Sequence, residues 1–323
     1  MEESHAISLF EKKLGEQANR EDVIQLSTAL EFMPLAIVQA AAYIKQRAPR
    51  ESVKQYLERF RKSDRQKTSL LDYEEGHLRR DPEATNSILV TWQISFDHIR
   101  RKRPSATDLL SLMSFFDRQG IPDILLQSET ETKRTLGQDA NSKSDESDAG
   151  DTMTASLQNE IDKFEDDICM LRDYSMVSVN ADGKNFEMHR LVQLAIQEWL
   201  KAHAQLEIWK EHFIRRLDSK FPTPIFENWA ECQMLFAHVQ CAVAQRPYTD
   251  ASLGRWASLL HKAAVFAWSR GDFINSERMA KKAISARKSL LGPESEETLS
   301  SSDILGSAYR LGGQWKKAEE LQV

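Results

Sequence analysis

The stretch Met176–His189 reads Met-Val-Ser-Val-Asn-Ala-Asp-Gly-Lys-Asn-Phe-Glu-Met-His and lies in the middle of a chain of 323 residues. Its two ends are short runs of β-prone residues, and Asp182-Gly183 between them is a strong signal for a tight turn joining antiparallel strands. Apolar residues before and after this stretch recur at helical spacing instead. The sequence therefore predicts a mainly α fold that contains one small β-hairpin.

The residues before the hairpin contain several helical patterns. Val23, Leu26 and Leu30 keep helical spacing, and Pro34 stands where a helix can begin, because a residue of the first turn has no N–H partner to lose. Ser52 is expected to cap a helix at Val53–Phe60. We therefore expect a helical domain over residues 1–103.

The next segment places a helix, a turn and the hairpin in the order of a winged-helix domain. Ser105 is expected to cap its first helix, and Gly120 with Pro122 marks the turn into a candidate recognition helix, Ile121–Gln127. We expect the winged-helix domain over 104–200. Within it, 128–159 is expected to be a disordered insertion, because its start is acidic, rich in serine and poor in large apolar residues.

The C-terminal part of the chain repeats itself. Gly271-Asp272-Phe273 and Gly313-Gln314-Trp315 are 42 residues apart, and each glycine turn joins two helical patterns. Repeated helical hairpins are typical of an α-solenoid. We expect a helical linker or cap over 201–250 and solenoid repeats over 251–323, the second of them truncated because the sequence stops at Val323.

Composition excludes several classes of function. The formal net charge is -6, and the candidate recognition helix contains Asp123 and no basic residue, which argues against a nucleic-acid partner. The longest apolar run, Met33–Ile44, is too short to span a bilayer. Three dispersed cysteines and the acidic N-terminus, which is unlike a secretory signal, predict a soluble cytoplasmic protein. No clustered metal-ligand or catalytic motif is present.

Two short motifs resemble the ADP-sensing half of an NB-ARC nucleotide switch of the STAND class, as found in fungal NOD-like receptors. Phe32-Met33-Pro34-Leu35 corresponds to the Gly-Leu-Pro-Leu of that family, and Met188-His189-Arg190 to its Met-His-Asp. The resemblance implies that 1–103 and 104–200 are similar to its two ARC domains. It also implies that Pro34 packs against adenine and that His189 contacts the β-phosphate of ADP.

A second resemblance covers the last 70 or so residues. Leu290-Leu291-Gly292-Pro293-Glu294, followed by Thr298 and Ala308-Tyr309, is similar to the linker and first helix of a kinesin-light-chain-type tetratricopeptide repeat (TPR). This resemblance implies a surface that binds a protein partner. A nucleotide-binding domain or a second copy of the chain is a further partner that the ARC resemblance suggests.

The phosphate-binding half of such a switch is missing from the sequence, which contains no G-x-x-x-x-G-K-[ST]. We therefore expect a non-enzymatic signalling or interaction fragment that holds no cofactor by itself, ADP or ATP belonging to an intact parent protein. Two alternatives remain open: the remnant of an ATPase whose P-loop half lies outside this sequence, and a kinesin-light-chain-like adaptor. From the residues alone, His189 could equally be a structural cap and Pro34 simply the start of a helix.

Overall fold

The computed structural model of the protein describes residues 2–14, 19–50, 52–62, 88–127 and 149–322. The fold is mainly helical, as the sequence predicts. None of the helices in these ranges combines the length and the apolar character that a membrane span requires.

Four helices form the N-terminal group. These are α1 (Glu3–Leu14), α2 (Arg20–Ala29), α3 (Pro34–Arg47) and α4 (Val53–Lys62). The proline prediction is confirmed, since Pro34 opens α3. Ser52 and Gln55 form a reciprocal capping box at α4, because the backbone N–H of each donates to the other's side chain. Apolar faces of the four helices meet in the N-terminal core, whose largest members are Phe10, Tyr43, Tyr56 and Phe60.

The middle group joins helices to a small sheet. It contains α5 (Ile88–Lys102), α6 (Pro104–Met113), β1 (Ile121–Pro122), a 3₁₀ turn (Asp123–Leu125), α7 (Ala149–Asp173), β2 (Val177–Val179) and β3 (Asn185–Met188). The hairpin prediction is confirmed: β2 and β3 are antiparallel, with Val177 opposite Met188. Strand β1 pairs with the other edge of β3, which gives the order β1-β3-β2.

Three predictions for this group are wrong. Ile121–Gln127 is not a helix, because its first two residues pair with β3 and only one 3₁₀ turn follows. Ser105 does not cap α6; its hydroxyl donates to Asp167 on α7, 2.8 Å away. The predicted insertion 128–159 is wrong over 149–159, where α7 has already begun, and the rest of it lies outside the described residues.

The C-terminal group is all helical. It comprises α8 (Arg190–Ala202), α9 (Leu206–Lys220), a 3₁₀ turn (Phe226–Asn228), α10 (Trp229–Ala242), α11 (Asp250–Ser269), α12 (Phe273–Leu291), α13 (Glu296–Leu311) and α14 (Trp315–Gln322). Helices α11 to α14 are two consecutive helical hairpins. Their buried side chains join those of the middle group in one large core, which runs without interruption from Phe96 to Ala318.

The two hairpins repeat in backbone geometry as well as in sequence. Gly271 and Gly313 have φ of 78° and 75°, in the left-handed region that favours glycine. Each glycine is followed by a backbone N–H that closes the preceding helix, from Asp272 to the Ala267 carbonyl and from Gln314 to the Tyr309 carbonyl, both at 2.8 Å. The 42-residue spacing therefore marks two equivalent turns, which confirms the sequence repeat.

A pair of alanine substitutions tests this turn geometry. We expect Gly271→Ala to destabilise the protein by about 1 kcal/mol, because a Cβ is strained at positive φ even where space is free. Gly254→Ala is the matched control: it lies inside α11, where a Cβ would make an ordinary 3.8 Å contact with Leu290 Cδ1, and we expect it to stabilise by up to about 1 kcal/mol. Urea unfolding of both variants measures the difference, and equal effects of the same sign would contradict the assignment.

Candidate functional site

His189, one of the two predicted site residues, lies where β3 passes into α8. It is the N-cap residue of α8, and its Nδ1 accepts a hydrogen bond of 3.2 Å from the Leu191 backbone N–H. A ring nitrogen that accepts carries no proton, so in the neutral imidazole the proton is on Nε2. Nε2 lies 3.1 Å from Oε2 of Glu31, at the end of α2.

Arg118 is the second partner of the same carboxylate. Its guanidinium Nη1 forms an ion pair with Glu31 Oε1, so the two oxygens of the carboxylate face two different side chains. The backbone places Arg118 beside His189, because its carbonyl accepts a 2.8 Å hydrogen bond from the N–H of Met188. Glu31, Arg118 and His189 are hereafter called the carboxylate clamp.

Glu31 is held in an unusual backbone conformation. Glu31 and Phe32 have φ of 52° and 53°, and two consecutive non-glycine residues in the left-handed region cost about 1–2 kcal/mol each. Backbone N–H groups of both residues bond to the last turn of α2, at the carbonyls of Thr28 and Ser27.

Pro34, the other predicted site residue, occupies the first turn of α3 and is exposed. The chain around Pro34 reaches His189 through Glu31, three residues before the proline. Sequence reasoning named His189 and a residue close to Glu31, but it did not identify Glu31 or Arg118 themselves, and the nucleotide roles of Pro34 and His189 stay predictions. The roles of Glu31 and Arg118 depend on side chains meeting across 87 residues, and local spacing carries no signal of that.

The loop that carries Arg118 is fixed from two sides. Gln193 and Gln197 of α8 donate to the carbonyls of Phe116 and Ser114, at 3.0 and 2.6 Å. From α10, the Nδ1 of buried His238 accepts from the Asp117 N–H at 3.2 Å. The guanidinium of Arg118 therefore projects from a well-held backbone, although its side chain is 40% exposed.

Electrostatics favour a neutral imidazole in the clamp. Burial lowers the pKa of His189 below its ordinary value, the negative charge of Glu31 opposes that shift, and Arg118 adds to it. The Glu31 carboxylate therefore lies between one permanent cation, Arg118, and one neutral imidazole whose Nε2 is 3.1 Å away. In the described ranges there is no cluster of three or more His, Cys, Asp or Glu that could hold a metal ion.

Two family models match parts of the chain. One is a domain of unknown function (DUF7779), matched by residues 98–205, and the other is a tetratricopeptide repeat, matched by 257–322. Arg118 and His189 lie inside the first match, whereas Glu31 lies before it. The second match coincides with the two repeated hairpins, so the TPR prediction is confirmed.

The chain is also similar to a curated protein of Hyaloscypha variabilis named "Nucleotide-binding leucine-rich repeat (NLR)-like protein". The two are 29% identical over 310 residues, which cover 93% of this chain and 28% of that protein. The chain therefore spans little more than a quarter of the length of the curated relative it matches. No solved structure matches the chain.

Acidification tests the protonation state of His189. The pKa of His189 is lower in the folded chain than in the unfolded one, so the folded state binds fewer protons. The contribution of His189 to stability is therefore complete above about pH 6.5 and is lost as the pH falls below that value. We expect His189→Asn, which keeps an N-cap side chain but does not titrate there, to lose less stability than the wild type between pH 7.5 and 5.5.

The quantity to measure is the difference in the free energy of unfolding between the wild type and His189→Asn at each pH. A difference is needed because burial also lowers the pKa of His212, His238 and His261, which both proteins share. That difference should be no steeper than about 1.4 kcal/mol per pH unit, the limit for one proton. Parallel stability curves would show that His189 is not protected from protonation by the fold.

Proposed function

We propose that this chain is the regulatory and partner-binding part of an NLR-like signalling protein, and that its TPR hairpins bind a protein partner. The observation that carries this proposal is the TPR match over 257–322 together with the shared core of these hairpins and the middle group. A continuous core supports mechanical coupling between a partner-binding surface and the carboxylate clamp. The name of the Hyaloscypha relative is in keeping with a signalling role.

The first helix of the second repeat supplies a surface for such a partner. Leu299 on α13 is a large apolar side chain that is 52% exposed, and Leu311 at the end of the same helix is 60% exposed. Thr298 and Ser301, which neighbour Leu299, are buried and anchor the helix to the preceding hairpin. Stacked helical repeats create extended surfaces that bind partners, and we propose Leu299 as a contact on such a surface.

The nucleotide part of the proposal concerns an intact parent protein. There, Pro34 would pack against the adenine of ADP and His189 would meet its β-phosphate, with a nucleotide-binding domain or a second copy docked on the N-terminal and middle groups. The present chain would act without catalysis and without a cofactor of its own. Support comes from the two motifs, from the position of His189 at a strand-to-helix junction and from the greater length of the relative.

The alternative is that this chain is the remnant of an ATPase whose phosphate-binding half lies elsewhere in the parent protein. The greater length of the Hyaloscypha relative, of which this chain matches 28%, supports this alternative. We also propose a cytoplasmic location, because Cys169, Cys232 and Cys241 are unpaired thiols that suit a reducing compartment.

Two surface variants test partner binding. We expect Leu299→Asp to lose the proteins that the wild-type chain enriches in proximity labelling in its native host, because a carboxylate on the docking face must be desolvated on binding. Ile274→Asp is the matched control, since Ile274 is 82% exposed and lies on α12. Helix α12 is the second helix of its hairpin, whereas α13 is the first helix of the next one.

Both variants should keep the melting temperature of the wild type, because both side chains are exposed. Retention of the same enriched proteins by Leu299→Asp would contradict a docking role for α13. Equal loss of the enriched proteins in Leu299→Asp and Ile274→Asp would contradict a specific role for the α13 surface.

A further inference from the structure

We propose that a cavity between α6, α7 and α9 binds a small organic cation, and that the carboxylates of Asp108 and Asp167 recognise its charge. The cavity has a volume of about 370 Å³. Small-molecule sites in proteins usually have volumes of about 300–1,000 Å³. The residues that line the cavity include no member of the carboxylate clamp and no residue of the TPR hairpins, so the proposal is independent of the proposed function.

Part of the cavity lining is apolar and aromatic. It contains three buried leucines, Leu109, Leu112 and Leu126, and two partly buried aromatic rings, Phe164 on α7 and Trp209 on α9. The face of an aromatic ring carries partial negative charge and attracts organic cations. This part of the lining therefore suits the apolar body of a ligand whose charged end is positive.

Asp167 on α7 is a buried carboxylate that lines the cavity and has one oxygen without a partner. Its side chain is only 8% exposed. Oδ1 pairs with Arg103 Nε and accepts a hydrogen bond of 2.8 Å from the Ser105 hydroxyl. None of the described residues donates to Oδ2, and this oxygen is not completely buried. Because buried polar atoms are normally hydrogen-bonded, Oδ2 is available to a donor that enters the cavity.

Asp108 brings a second carboxylate to the same cavity, from α6. It forms no hydrogen bond or ion pair with any residue of the described ranges. Burial and the negative charge of Asp167 raise the pKa of Asp108, while the charges of His212 and Arg100 oppose that shift. A bound cation would relieve the repulsion between the two carboxylates, which a neutral or anionic ligand could not do.

The basic residues that line the cavity do not form an ion pair with Asp108. Arg216 donates through Nη1 to a backbone carbonyl, that of Gln127, at 2.5 Å. Burial lowers the pKa of His212, so its ring is neutral at pH 7.5. Lys163 is exposed, and it is not among the charges that shift the pKa of Asp108. The place beside the Asp108 carboxylate is therefore open to a cation from solution.

Isothermal titration calorimetry of the purified full chain, at pH 7.5 and constant ionic strength, tests the proposal with three matched probes. Phenethylammonium, phenethyl alcohol and hydrocinnamate share a phenylalkyl body and carry a positive charge, no charge and a negative charge. We expect the ammonium to bind about ten-fold more tightly than the alcohol, because two carboxylates and two aromatic rings attract its charge. Hydrocinnamate should bind more weakly than the alcohol, because the same carboxylates repel it.

Two variants separate the cavity from general electrostatics. Asp108→Asn keeps the size of the side chain and should lower the affinity for phenethylammonium by about five-fold, while the affinity for phenethyl alcohol stays the same. Asp108 is exposed, so the variant should fold, which circular dichroism and thermal melting check. Asp173→Asn is the matched control: it removes the same charge from an exposed position at the end of α7, outside the cavity lining, and should change neither affinity.

Several results would overturn the proposal. One is no measurable binding of phenethylammonium by the wild type, and another is equal affinity for the ammonium and the alcohol. Unchanged affinity for phenethylammonium in the folded Asp108→Asn chain would also overturn it. So would an equal loss in Asp173→Asn, because the attraction would then come from the net charge of -6 on the whole chain and not from the cavity.

Discussion

Helix α8 buries two neighbouring faces in two different cores, and the connection between the N-terminal group and the rest of the protein depends in part on it. Leu191 and Ala195 are buried in the N-terminal core, whereas Val192, Ile196 and Trp199 are buried in the large core that continues into the TPR hairpins. A helix with a wide apolar surface is stable only when all of that surface is covered. Its packing, together with the contact of α3 with α5, therefore joins α1–α4 to the rest of the protein.

The carboxylate clamp lies at the N-terminal end of this shared helix. His189 caps α8 and contacts Glu31 of the N-terminal group, while Arg118 of the middle group holds the same carboxylate. Apolar packing along α8 and the carboxylate clamp at its start thus both connect the N-terminal group to the rest of the protein. Because the polar cluster is partly exposed and includes a strained residue, it stabilises the junction less than the apolar packing does.

Much of the fold was predictable because its signals are local. The hairpin follows from Asp182-Gly183, the start of α3 from Pro34, and the paired turns of the solenoid from Gly271 and Gly313. Strand β1 was missed since it is two residues long and exists only through pairing with β3. The early part of α7 was missed because its polar composition resembles a loop.

The candidate site could be predicted only in part. The motif resemblance located Pro34 and His189, and their nucleotide roles stay predictions, as do the domain boundaries and the winged-helix assignment. Glu31 and Arg118 could not be found, because an ion pair across 87 residues depends on how two groups of helices pack. The positive φ of Glu31 and Phe32 is equally invisible in a sequence that has no glycine there.

Hydrogen–deuterium exchange of Leu191→Ala and Val192→Ala tests most directly whether α8 couples the two cores. Each change removes a fully buried side chain of α8, at a cost of about 1–5 kcal/mol. The account predicts that Leu191→Ala loses amide protection in α1–α3 as well as in α8, whereas Val192→Ala loses it chiefly in α6 and α8. Loss of protection confined to α8 in both variants would contradict the coupling.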